Sequence, residues 1–128
     1  MKKSIDEWKK VLPKNVFHIL WQKGTEPPFT GKYVDETRSG IYECAGCHQD
    51  LFDSDSKFHS GSGWPSFTKP INEDAILTKP DHSLGLNRTE VLCSSCEGHL
   101  GHVFDDGPKP TGKRFCINSA ALSFKEKM

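Results

Sequence analysis

Residues 91–107 read VLCSSCEGHLGHVFDDG, and residues 40–52 read GIYECAGCHQDLF. Each stretch holds two cysteines with a two-residue spacer, Cys44 with Cys47 and Cys93 with Cys96. That spacer turns the backbone so that both sulfurs of a pair face one ion. Two pairs complete a tetrahedral thiolate shell, which suits zinc. Tetrahedral sulfur also suits a single iron ion, which would colour the protein red. Four thiolates leave no open coordination position, so the expected role is structural. The 45 residues from 48 to 92 separate the pairs, well beyond the ~15–20 of a compact zinc finger. The ion is therefore expected to clamp two hairpins that are distant in the chain.

The sequence around these pairs predicts strands. Short apolar or aromatic runs alternate with Gly, Pro, Asn, Asp and Ser. Strands are expected at residues 40–43, 50–52, 89–92, 102–104, 114–118 and 122–124. Helices are expected only near the N-terminus. Ser4 and Glu7 have capping-box spacing, Ile5, Trp8, Val11 and Leu12 share a face, and Pro13 ends the run. Residues 16–22 predict a second short helix, with Gly24 as its stop. The expectation is one mainly β domain over residues 1–128, with residues 1–24 as a helical extension packed on it.

Lysine plus arginine equals aspartate plus glutamate, 17 each. A zero net charge argues against nucleic-acid or anionic-membrane partners, which need a positive field. Lys2, Lys3, Lys9 and Lys10 are read as a solvated helix face. No run approaches the ~20 apolar residues of a membrane span, and MKKSIDEWKKVLPK lacks an apolar signal core. The expected location is the cytoplasm, where free thiols and metal thiolates outnumber disulfides.

Cys116, in KRFCINSAAL, is left over. In a strand, Cys116 and Asn118 share one face with Arg114, while Phe115 and Ile117 face the core. Arg114 is expected to lower the thiol pKa, since a cation stabilises a thiolate. A buried inert cysteine is the plainer account, and the two readings stand level on this evidence. His99 and His102 follow the second cysteine pair directly, and imidazole can give or take a proton near neutral pH. His18, His48, His59 and His82 are read as structural or surface residues. SGSGWPSF, residues 60–67, can hold Trp64 exposed as an aromatic wall for a small apolar group, with Phe67 nearby. The plainer account is a Trp that covers the core.

At this point the chain resembles a known family, the type B methionine sulfoxide reductases. The matching segments are TEPPFTGKY, GIYECAGCHQDLF, KFHSGSGWPSF, TEVLCSSCEGHLGHVFDDGPKPTG and RFCINSAAL, spread over residues 25–124. The resemblance implies two antiparallel sheets and zinc held by Cys44, Cys47, Cys93 and Cys96. It implies reduction of methionine-R-sulfoxide, free or in proteins, with thioredoxin or another thiol as reductant. It implies that Cys116 is the nucleophile, that His99, His102 and Asn118 bind and protonate the sulfoxide oxygen, and that Trp64 receives the terminal methyl group. Two departures stand out. Phe115 replaces the family's usual Tyr on the core side, with little expected effect. Ser62 stands where many members keep a resolving cysteine, so Cys116 is expected to stop at a sulfenic acid that an external thiol must reduce. Two other readings remain: a non-catalytic zinc-stapled β interaction module, and a thiol peroxidase.

Overall fold

The computed structural model describes residues 4–22, 24–58, 60–82, 85, 88–109 and 111–126, without the side chain of Ile5. The readings of Lys2, Lys3 and His59 lie outside these residues.

Helix α1 is Ile5–Val11, and the predicted capping box closes it. Glu7 N–H donates to Ser4 Oγ at 3.2 Å, and Ser4 N–H donates to the Glu7 carboxylate at 3.0 Å. Helix α2 is Lys14–Trp21 and begins directly after Pro13. Gly24 N–H returns to His18 O at 3.0 Å. The expected four-residue face of α1 is narrower than its spacing predicts. Trp8 is buried and Leu12 packs on the core, but Val11 is 61% exposed. In a helix of only two turns, one i, i+4 pair suffices to meet the core.

Among the described residues nine strands follow: β1 Gly40–Cys44, β2 Asp50–Asp53, β3 Lys57–Phe58, β4 Ser66–Phe67, β5 Ile76–Asp81, β6 Arg88–Cys93, β7 His99–Phe104, β8 Arg114–Ile117 and β9 Leu122–Glu126. They form two antiparallel sheets, ordered β2-β1-β9 and β3-β4-β8-β7-β6-β5. Aromatic side chains join the sheets. Phe52 stacks on Phe67 at 4.4 Å, Tyr42 meets Phe67 edge-on at 5.1 Å, and Phe115 lies 6.0 Å from Phe52. Burial of such rings dominates the stability of a core this size.

Strand β5 was not expected, because Pro80 sits inside it. Proline lacks the N–H that a central strand needs, but an edge strand tolerates it. β5 is the edge of its sheet and is largely exposed. Strands β3 and β4 have two residues each, too short for an alternation signal. β7 begins at His99 rather than at 102, after a register irregularity between Val91 and Leu92.

Candidate active site and metal centre

The two cysteine pairs sit in matching turns. Cys44 O accepts from His48 N–H at 2.9 Å, and Cys44 N–H donates to Gln49 O at 2.9 Å. Cys93 repeats the pattern with Glu97 at 2.8 Å and Gly98 at 3.0 Å. His48 and Glu97, at equivalent places, both have φ near +65°. The four Sγ atoms lie within 4.8 Å of one another, with Cys44–Cys96 at 3.7 Å and Cys47–Cys93 at 3.5 Å. A tetrahedral ion with ~2.3 Å bonds to sulfur spaces its ligands by about 3.8 Å, so the cluster can hold a metal ion. All four side chains of the cluster are cysteines. The helices close over it: Leu20 and Trp8 pack against Gly46, and Leu20 packs against Gly98, so tightly that a Cβ on either glycine would lie 3.1–3.2 Å from Leu20.

The second turn leads into β7 and the second site. Directly opposed residues of antiparallel strands share a face. Glu90 on β6 pairs with His102 on β7, His102 with Cys116 on β8, and Cys116 with Ser66 on β4. A polar row thus crosses the sheet on one face. As predicted, Phe115 and Ile117 turn to the core. Gly101 makes the close approach possible, since a Cβ there would meet Cys116 O at 2.1 Å.

Cys116, His102, Asn118, Trp64 and Ser62 line one cleft of about 220 Å³, together with Thr25, Arg88, Gly101, Phe104 and Arg114. That volume suits a side chain rather than a drug-sized ligand. A larger depression of about 610 Å³ beside α2 has no cysteine in its lining. Trp64 is held by its indole N–H, which donates to Glu26 O at 2.9 Å. Asn118 is buried. Its side-chain amide donates to Leu100 O at 3.0 Å and its Oδ1 accepts from Glu26 N–H at 3.1 Å. His102 Nε2 lies 2.7 Å from the Asp81 carboxylate, which also meets Arg88 at 3.5 Å. His99 is buried behind the cleft lining, its Nδ1 2.6 Å from Glu90, and its ring meets that of His102 edge-on at 5.4 Å.

Phe67 does not reach the cleft. β4 is paired so that Ser66 opposes Cys116 while Phe67 opposes Phe115. Alternation therefore sends Phe67 to the core face, where it is fully buried on Phe52. The expectation that it joins Trp64 at the substrate wall is corrected to a core role.

Arg114 acts on the thiol in the expected direction, against a larger opposing effect. Burial pushes the Cys116 thiol up, and this outweighs the Arg114 guanidinium and the Ser62 hydroxyl, which pull it down; Glu26 adds to the rise. Arg114 is also engaged elsewhere, by Asp106 at 2.8 and 3.2 Å and by the Phe104 ring at 4.5 Å. Ser62 itself belongs to a hydroxyl chain. Ser60 Oγ–H donates to Ser62 Oγ at 2.8 Å, and Ser60 and Ser66 hydroxyls meet at 2.8 Å.

Asp81, Glu90, Arg88, Glu26 and Asp106 were not singled out from the sequence. Glu90 alone carried a signal, as a carboxylate inside the apolar run TEVLC. The three other histidines read as structural or surface residues lie outside the cleft lining: His18 Nδ1 meets Gln22 at 3.1 Å, His48 lies 3.8 Å from Glu43, and His82 is exposed.

The SelR domain model matches residues 12–126. The peptide methionine sulfoxide reductase MsrB of Methanosarcina barkeri is 56% identical over 125 residues, covering 98% of this chain and 88% of that protein. The MsrB of Leptospira interrogans is 53% identical over 124 residues, covering 97% and 95%. Among solved structures, the Yippee-like domain of Mis18 has a TM-score of 0.54 at 17% identity, over 71% of this chain and 99% of that one. At that identity the likeness concerns the fold alone.

Proposed function

This chain belongs to the MsrB family of peptide methionine sulfoxide reductases, and from that premise we propose how its residues reduce methionine-R-sulfoxide. Membership makes the protein an oxidoreductase and replaces the non-catalytic module and the thiol peroxidase as accounts of it. The observation that carries the mechanism is the pairing of Cys116 with His102 across β7 and β8, in a cleft walled by Trp64.

The Cys116 thiolate attacks the sulfoxide sulfur. His102 supplies the one proton that the oxygen needs as the sulfur–oxygen bond breaks. Oxygen passes to Cys116, which becomes a sulfenic acid, and methionine leaves. Asp81 orients the His102 ring, as a carboxylate does for a general acid. His99, fixed by Glu90, packs against His102 and supports that orientation. Asn118 has a second amide hydrogen beyond the one given to Leu100, and this binds the sulfoxide oxygen. Trp64 packs the methyl group. Phe67 acts through the core alone.

Ser62 cannot form a disulfide, and the other four cysteines stand together in the metal cluster. The sulfenic acid therefore waits for an external thiol. Two thiols balance the step: one attacks sulfur with loss of water, and the second releases Cys116 and forms the donor's disulfide. Thioredoxin fits as the protein donor. We assign zinc to the four-cysteine cluster, where it stabilises the fold without touching substrate. Among the described residues, no helix is long and apolar enough to cross a membrane. A reducing cytoplasm suits a chain whose five cysteines form no disulfide.

The test is turnover with methionine-R-sulfoxide, methionine-S-sulfoxide and peroxide. Activity confined to the R epimer is expected; equal use of both epimers, or of peroxide alone, would sink the assignment.

A further inference from the structure

Phe29 is 70% exposed, and its φ is +65°. A left-handed backbone is rare for a bulky residue, and such strain persists only where surrounding structure holds it. Here the holders are visible. Phe29 N–H donates to Gly63 O at 2.7 Å, and Thr30 Oγ1 donates to Pro27 O at 2.6 Å. Pro27 and Pro28 fix the backbone immediately before. Pro27, Pro28 and Phe29 are all exposed. Residues 27–29 therefore form a rigid apolar ridge that buries none of its bulk in the core.

The ridge is tied to the cleft. Gly63 lies between Ser62 and Trp64, which both line it. Gly63 has φ +94°, and a Cβ there would come within 2.6 Å of Pro28 and 3.0 Å of Phe29. One residue before Pro27, Glu26 O anchors the Trp64 indole. The same loop that walls the cleft thus carries the ridge at its rim. A cleft of about 220 Å³ admits a side chain, so the polypeptide bearing that side chain must cross the rim. Three exposed residues are far fewer than the ~20–30 per side of a standard protein interface, so a stable dimer does not account for them.

We infer that Phe29, with Pro27 and Pro28, is a docking ridge for the polypeptide on either side of an oxidised methionine, and so sets the preference for peptide-bound over free methionine sulfoxide. The inference rests on the cleft being the sulfoxide site. Pre-organisation is what such a ridge contributes, because a rigid apolar surface loses little entropy when a flexible chain lies on it. The ridge acts on binding, so its effect belongs in KM for peptides and not in kcat.

The experiment compares kcat/KM for free methionine-R-sulfoxide and for a short peptide with methionine-R-sulfoxide at its centre. The variants are Phe29→Asn and Phe29→Trp. Asparagine tolerates the left-handed backbone, so Phe29→Asn removes the ring and keeps the loop. Expected is a loss of about tenfold on the peptide, carried by KM, as for one aromatic anchor. Use of the free amino acid should stay within about twofold, and Phe29→Trp should retain peptide use. Equal losses on both substrates would make Phe29 a loop-structure residue and overturn the inference. No loss on either would overturn it as well. If the parent protein reduced neither substrate, the reading of the cleft would fail, and the ridge with it.

Discussion

Gly101→Ala perturbs the junction on which the site depends. An added Cβ would sit 2.1 Å from Cys116 O, against an ordinary contact of at least 3.4 Å, a deficit of about 1.3 Å. The obstacle is backbone, flanked by Cys116 C and Ile117 Cα at 3.1 and 3.0 Å, so no rotamer change relieves it. β7 and β8 must part where Gly101 pairs with Ile117 and His102 with Cys116. Overpacking of this kind costs about 1–3 kcal/mol, and each ladder hydrogen bond lost adds about 1 kcal/mol. A total of about 3 kcal/mol, in a chain of 128 residues, lowers the melting temperature by about 10 °C. Turnover should fall further than stability alone explains. A displacement near 1 Å between nucleophile and acid costs on the order of 100-fold in rate. The assays are thermal unfolding followed by circular dichroism and kcat/KM for free methionine-R-sulfoxide, at a temperature where the variant is folded. A Gly101→Ala protein with parental melting and parental turnover would refute the pairing of β7 with β8 in this register.

Further outcomes follow from the same geometry. Arg114→Gln removes a cation that opposes the burial-driven rise of the Cys116 thiol. Thiolate formation should move to still higher pH, and alkylation of Cys116 at neutral pH should slow by roughly tenfold; an unchanged alkylation–pH curve would show that the guanidinium does not act on the sulfur. Asp81→Asn takes the carboxylate from His102 and should cost on the order of 10²–10⁴-fold in kcat if His102 is the acid, with thiol alkylation unchanged; full activity would remove Asp81 from the mechanism. Cys96→Ser should lose bound metal, read by atomic absorption, and several kcal/mol of stability; equal melting of metal-free and metal-loaded parent protein contradicts the clamp. Trp64→Ala should cost about 1–3 kcal/mol of transition-state binding, seen in kcat/KM, and tighter use of methionine sulfoxide would contradict its role as the methyl wall.

What the sequence revealed divides along physical lines. The cysteine pairs were legible because ligand spacing is local: two residues between sulfurs already fix the turn. The facing of Cys116 opposite Phe115 was legible because alternation is a property of any strand. The capping box of α1 was legible for the same reason, since Ser4 and Glu7 lie three residues apart. The partners of the histidines were not. Glu90 meets His99, and Asp81 meets His102, through the register of β5, β6 and β7, and register cannot be read from a segment in isolation. Asp81 was doubly hidden, because Pro80 disguised its strand. Phe67 was misplaced because proximity to Trp64 in sequence says nothing about which face a two-residue strand presents. The pull of Arg114 on the thiol was legible from their shared strand face, whereas the burial that outweighs it was not.

Intact mass spectrometry after one turnover shows whether oxygen passes from the sulfoxide to Cys116. Reduced protein is mixed with an excess of methionine-R-sulfoxide without any reductant, then trapped with dimedone. Expected are one methionine formed per chain and one dimedone adduct, located on Cys116, with neither product from Cys116→Ser. Methionine formed in equal amount by Cys116→Ser, or a disulfide joining Cys116 to one of the four clustered cysteines in place of the adduct, would contradict that expectation.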